Sequence, residues 1–317
     1  MTGRDTEVAT DEAAADEIVL TAGEYRAVVD RHGAALQRLR WRDRDLVWGY
    51  RRPPGPAAFQ GQVLVPWPNR VDHGRYTFDG ATHQLEVTEP QRDNAIHGFA
   101  HAEAWLPAEI APSLTRLTHR TPGAPGYPFP VELSVEYELT AASGLTVRIG
   151  ARNIGSRPAP YGAGSHNYLT VGGPVDEAVL LLPAGERLPV DGRLLPSGPP
   201  VPVAGTGYDF GTPRRIGDTV LDTAFTSLRR DYDGRAWTVL SGTGSAVALW
   251  ADSAFGWLQV FSSDGLADGA DRGQLAVEPM TCPPNAFVSG VDLTVLPPGG
   301  AVQACYGIRR VDPLTSR

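Results

Sequence analysis

The sequence predicts an all-β fold, a sandwich or barrel of many short antiparallel strands, and three observations predict it. First, Val131, Leu133, Val135, Tyr137 and Leu139 alternate with Glu132, Ser134, Glu136 and Glu138. After Ser143-Gly144 the pattern returns at Leu145, Val147, Ile149 and Ala151. Period-two alternation on both sides of a turn is a β-hairpin with one wet face. Second, Asp79-Gly80 sits near the centre of the stretch Tyr76 to Leu85, the pair that a tight hairpin turn prefers. Third, 36 Gly and 28 Pro interrupt the 317 residues so often that helical periodicity hardly appears. The chain lacks βαβ alternation, which argues against Rossmann and TIM architectures.

Taken in order, residues 1 to about 17 read as a mobile acidic tail with an Ala run, and residues 18–317 as a single β domain. Further strands are predicted at Leu36 to Trp41, Arg235 to Leu240, Ala246 to Trp250, Trp257 to Phe261, Val291 to Leu296 and Ala301 to Ile308. The proline-rich section Pro183 to Pro213 is a long connection within that domain, because strand patterning resumes on both sides.

Composition excludes several chemistries. All 28 basic residues are Arg, with no Lys. Schiff-base aldolases, pyridoxal-phosphate enzymes and Walker-type phosphate loops are therefore excluded. Net charge is −8, which argues against a nucleic-acid or anionic-membrane partner and suits a small uncharged ligand. Cys282 and Cys305 match no zinc spacing; a single disulfide between them is the alternative to reduced thiols, which is the reading taken here. The polar N-terminus and the lack of a long apolar run point to a cytoplasmic protein.

Five places hold polar residues in unusual settings. Ala159 to Leu169 bends at Pro160, Gly162 and Gly164 and presents His166, as a positioned acid or base would; a turn with an incidental His has the same look. In Pro66-Trp67-Pro68-Asn69-Arg70, the Trp67 face could lie against a sugar ring while Arg70 donates to hydroxyls; the alternative is a rigid turn with Arg on Trp. In Asn94 to His101, His97 precedes a glycine, as a ligand-facing loop residue often does; a merely structural pair of histidines is the alternative. His97 and His101 are four apart, but Gly98 weakens a helix and no third ligand lies nearby in sequence, so no metal is expected. Asp222 stands among apolar residues and must find donors if buried; a turn or capping role is the alternative. Glu278 ends an apolar strand at Pro279, where a carboxylate is held extended and suits a general base; a solvated strand-end Glu is the alternative.

The order Asn69-Arg70, Gly74 to Gly80, His97-Gly98, Ser165-His166-Asn-Tyr168, Asp222 and Glu278-Pro279 resembles the aldose 1-epimerase (galactose mutarotase) family, from roughly Val19 to Val311. The resemblance implies a large antiparallel β-supersandwich with few or no helices. It implies His166 as general acid and Glu278 as general base, with Arg70, His97 and Asp222 holding sugar hydroxyls. Asn69, Trp67 and Tyr168 count with the binding residues. No cofactor is implied, and the partner is a small sugar. Phe99 stands where the better-studied branch has a second glycine, and Asn167 where it often has proline. Both departures bear on sugar preference and leave the proposed catalytic groups in place.

This chemistry needs His166 protonated before ring opening, and the carboxylates of Glu278 and Asp222 are expected to raise its pKa. Three other readings compete. A glycoside hydrolase would use Glu278 and Asp222, and a sensor protein would bind sugar without turnover. A hexose-phosphate mutarotase would need an Arg cluster at the site, for which Arg214-Arg215 and Arg229-Arg230 are the candidates.

Overall fold

The computed structural model describes residues 16–51, 55–267 and 270–314. The expected acidic tail falls almost wholly outside these residues, and Glu17 already opens the strand Glu17–Ala22.

Two large antiparallel sheets dominate. One has nine strands, in the order Leu106–Ala111, Leu114–Thr121, Val131–Thr140, Gly144–Asn153, Ala301–Val311, Ser245–Ala251, Ala236–Gly242, Val179–Leu181 and Arg214–Arg215. The predicted hairpin lies at its centre, paired from Val131↔Asn153 to Thr140↔Gly144. Val131, Leu133, Val135 and Tyr137 are fully buried, while the alternate positions are only partly covered. Each such side chain contributes roughly 1.5–3 kcal/mol of burial. On the wet face Arg148 bridges Glu136 and Glu138.

The other sheet has eight strands. Six follow the order Val201–Pro202, Ala184–Arg187, Asp222–Leu228, Trp257–Phe261, Leu275–Met280 and Gly164–Ser165, with Val63–Leu64 beyond and Asn167–Leu169 also pairing on Leu275–Met280. All six positions of Leu275–Met280 are buried, so this strand shows no alternation: both of its faces are covered. A four-stranded sheet from Glu17–Ala22 to Arg44–Asp45 and three strand pairs, Arg75–Phe78/Ala81–Gln84, Arg70–Asp72/Asn94–Ile96 and Ala159–Tyr161/Thr294–Leu296, flank these sheets among the described residues. Phe78 pairs with Ala81 across Asp79-Gly80, as the dipeptide predicts.

Helix is scarce among the described residues. Ala286–Ser289 makes one turn, and a further turn at Val291-Asp292 takes up the start of the strand expected from Val291, leaving Thr294–Leu296. No helix of the described residues is long and apolar enough to cross a membrane. The proline-rich section is a connection, as expected, and lends two short strands, Ala184–Arg187 and Val201–Pro202, to the eight-stranded sheet.

Candidate active site

The site forms on Leu275–Met280, an interior strand of the eight-stranded sheet. Gly164 pairs with Met280 and Asn167 with Val277, so the register carries His166 opposite Glu278. On the other side Gln259 pairs with Glu278, and one strand further Ala224 pairs with Gln259 and Asp222 with Phe261. Cross-strand neighbours share a face. His166, Glu278, Gln259 and Asp222 therefore form a polar row that runs across neighbouring strands of this sheet.

The strand that bears His166 is broken at that residue. Pro279 has no N–H to offer the ladder. The His166 N–H donates to the Gln62 carbonyl at 3.0 Å instead, and its carbonyl accepts from Gly61 N–H at 2.7 Å. Ser165 Oγ lies 2.8 Å from the Tyr306 hydroxyl, and the Asn167 amide donates to Ser165 Oγ at 3.2 Å. Through Tyr306 this network ties the His166 segment to the nine-stranded sheet. Asn167, in the place where a proline was the family expectation, is what closes it. The imidazole stacks on Tyr168 at 4.9 Å and on Phe59 at 6.0 Å.

His166 Nε2 lies 3.4 Å from Glu278 Oε1, with 7% and 3% of the two side chains exposed. Burial pushes the imidazole down to about 3, and the Arg70 charge adds to the effect. Burial, helped by Asp222, holds Glu278 well above the usual carboxylate range. This corrects the expectation that the carboxylates raise His166. Removing two charges from water costs more than their attraction returns, so burial favours the neutral form of both groups.

His97 is brought to the same place by the strand pair Arg70–Asp72/Asn94–Ile96. The Asn69 backbone N–H donates to His97 Nδ1 at 3.1 Å, and the His97 N–H returns to the Asn69 carbonyl at 3.0 Å. Both residues are left-handed, at φ 57° and 65°. With Nδ1 accepting, a neutral His97 carries its proton on Nε2 and is a donor. Burial holds it well below the usual imidazole range, and the Arg70 charge adds to the effect.

Arg70 forms a two-pronged pair with Glu89, Nε to Oε2 at 2.8 Å and Nη2 to Oε1 at 2.9 Å. Asp222 accepts from Gln259 Nε2 at 2.6 Å, and burial raises its carboxyl. Gln259 Oε1, Glu278 Oε2 and His166 Nδ1 are buried with no protein partner among the described residues. A polar atom left in this way costs about 1–3 kcal/mol, which a sugar hydroxyl can relieve.

Of the residues the sequence singles out, His166, Glu278, His97, Arg70, Asp222 and Tyr168 converge. Asn69 stands behind His97 as a support. Trp67 departs from the expected sugar-stacking role: its ring is buried in the core against Phe287 at 5.5 Å and Phe99 at 6.0 Å. His97, His166 and Glu278 offer ligand atoms within 4.8 Å of one another, so tertiary contact supplies the third group that was missing in sequence. A metal on His97 Nε2 would need the proton on Nδ1, facing the Asn69 N–H, so the donor set does not fit a metal. The Arg pairs do not make an anion cluster here. Arg230 caps the carbonyls of Gly234, Ala251, Asp252 and Phe255, Arg229 donates to the Gly211 carbonyl, and Arg214 donates to the Asp209 carbonyl and covers Phe210.

Sequence reasoning missed Phe59, Gln259 and Glu89. Two signals existed. Gln259 is the lone polar residue in Trp257-Leu-Gln-Val-Phe261, and Glu89-Pro90 repeats the Glu-Pro pairing of Glu278-Pro279.

The site is thus a buried imidazole–carboxyl pair ringed by polar side chains in a β-sandwich. The sequence matches the profile of the aldose 1-epimerase family over residues 16–309, and the chain belongs to that family. It is 36% identical over 284 residues, 89% of each chain, to an Escherichia coli K12 protein named "Uncharacterized protein YihR". A maltose epimerase of Levilactobacillus brevis is 28% identical over 266 residues, 76% of each chain. Among solved structures, a GalM/aldose epimerase homologue from C. elegans superposes with a TM-score of 0.82 at 19% identity, covering 93% of this chain and 99% of its own. A galactose 1-epimerase from Lactobacillus acidophilus gives 0.80 at 21%, covering 94% and 95%. At these identities the structures establish the fold.

Proposed function

We propose that the protein interconverts the α and β anomers of a free hexose, with His166 and Glu278 as the proton-transfer pair. The observation that carries this reading is their 3.4 Å separation inside a buried cluster of sugar-binding groups. The two oxygens that exchange protons in mutarotation sit on one carbon, C1. Two groups a few ångströms apart can serve both.

Hydrogen bonds donated by sugar hydroxyls favour the Glu278 carboxylate over the carboxyl. The displaced proton passes to the neighbouring imidazole. His166 then delivers it to the ring oxygen as the C1–O5 bond breaks, while Glu278 takes the proton of the anomeric hydroxyl and the carbonyl forms. Rotation about C1–C2 turns the other carbonyl face. Closure runs the same two transfers backwards, so the pair ends with the proton it began with. Arg70 and His97 Nε2 donate to hydroxyls, and Asp222 and Gln259 Oε1 accept. Each positioned group need supply only about 10² to 10⁴ in rate.

The hydrolase reading is less well supported. It requires two carboxyls disposed about a glycosidic bond. Here Asp222 Oδ1 accepts from the Gln259 amide, and the ionisable group paired with Glu278 is an imidazole. The phosphate reading is less well supported because Arg214, Arg229 and Arg230, three of its four Arg candidates, are engaged with backbone carbonyls. Polarimetry on freshly dissolved α-glucose, α-galactose and maltose, each with and without enzyme, is the test. Accelerated approach to the equilibrium rotation for at least one sugar is expected. Release of free sugar from a glycoside, or binding with no change in rotation rate, would turn the assignment to a hydrolase or a sensor.

A further inference from the structure

We infer that Glu89 is the positioning residue of this site: it fixes the orientation of the Arg70 guanidinium and offsets its charge. The inference rests on the anomer-exchange reading for what Arg70 grips, and on geometry alone for the contact itself.

Glu89 is buried, and its two oxygens accept four N–H groups. Arg70 supplies Nε at 2.8 Å and Nη2 at 2.9 Å, Arg92 supplies Nη1 at 2.9 Å, and Asn94 supplies Nδ2 at 3.1 Å. The fork holds one edge of the guanidinium flat against the carboxylate. Nη1 on the other edge meets no protein acceptor among the described residues, so it is left for ligand. The turn that carries Glu89 is itself clamped. The Glu89 N–H donates to the Asn94 carbonyl at 2.9 Å. Arg193, from the proline-rich connection, donates to the carbonyls of Arg92 at 2.9 Å and Asp93 at 2.8 Å and to Asp72 at 2.6 Å.

A buried ion pair is a poor stabiliser, since apolar residues of similar volume do as well or better. Its cost makes sense where one member must be held for ligand. The Arg70 cation acts on His97, His166, Asp222 and Glu278, and the opposing Glu89 charge reaches Asp222. Without Glu89, Arg70 would both swing and over-stabilise the Glu278 carboxylate.

The test uses the full ¹⁵N-labelled chain with Glu89→Gln, Glu89→Asp and Arg70→Lys. In the wild type the Arg70 Nε–H resonance, assigned by its loss in R70K, should exchange slowly with water, and in E89Q that protection should disappear. In anomer exchange E89Q should raise KM by about tenfold or more, the worth of a charged hydrogen bond. It should also move the alkaline limb of the pH profile to lower pH. E89D keeps the charge but shortens the fork, so it should raise KM and leave the limb in place. Wild-type KM and pH limb in E89Q, or an unprotected Nε–H in the wild type, would overturn the inference. Should E89Q not fold, E89D decides the KM arm and the wild-type resonance decides the contact. Should the wild type exchange no anomers, the functional reading falls and the resonance still settles whether Glu89 holds Arg70.

Discussion

The backbone N–H of Asn69 points at Nδ1 of His97, 3.1 Å away, and settles which imidazole nitrogen carries the proton. His97 is thereby a neutral Nε2–H donor aimed into the cluster. Nitrogen NMR should find Nδ1 unprotonated, and the ring should stay neutral on acidification below the usual imidazole range, as burial dictates. The same geometry predicts that chelators leave activity unchanged. Activity that EDTA removes and zinc restores would sink the tautomer argument.

The His166–Glu278 pair predicts a division of labour in the kinetics. His166→Ala and Glu278→Gln should each lose about 10²–10⁴ in kcat while the far-ultraviolet spectrum stays native. Polarimetry measures both. A variant with wild-type rates cannot have lost a proton-transfer group.

Burial of that pair also sets how stability varies with pH. The folded value of Glu278 is raised, so the unfolded chain releases a proton above about pH 4.3 that the folded chain keeps. Stability is then lost as pH climbs from there towards the folded value. Glu278→Gln should be more stable than wild type near pH 7, and the difference should vanish below about pH 4. His166 has the opposite sign: its folded value of about 3 lies below the unfolded one. It withholds stability as pH falls from about 6.5, and His166→Gln should flatten that part of the acid decline. Urea midpoints at several pH values test both, and an E278Q midpoint at pH 7 no higher than wild type would falsify the burial argument.

Gln259 predicts a binding defect. Its amide donates to Asp222 at 2.6 Å while Oε1 has no protein partner. Gln259→Leu should raise KM about 10–100-fold, the range for a hydrogen bond to a charged group, with a smaller effect on kcat. An unchanged KM in isotherms or initial rates would remove Gln259 from the sugar site.

Gly98 predicts a fold defect with a local cause. Its φ is +70°, and an added Cβ would meet the Val65 carbonyl oxygen at 2.1 Å. Gly98→Ala should cost at least about 2 kcal/mol, and it should disturb His97 next to it. Thermal melts check the first effect and KM the second.

The chain by itself determined the strands whose two faces meet different media, and the kinds of chemical group available. Val131 to Ala151 alternates because one side is wet, and Asp79-Gly80 turns because its neighbours cannot, so both are legible locally. The absence of lysine and the lone His166 and Glu278 in unusual settings were likewise plain from composition and position. Tertiary structure decided which groups meet. Leu275–Met280 has both faces covered and no period to read. Register between strands distant in sequence set Gln259 and His166 on either side of Glu278. It also turned Trp67 into the core and gave Arg70 to Glu89. The protonation of the pair came out opposite to the sequence expectation for one physical reason: a charge's surroundings set its cost, and burial is a property of the fold and not of the neighbouring letters.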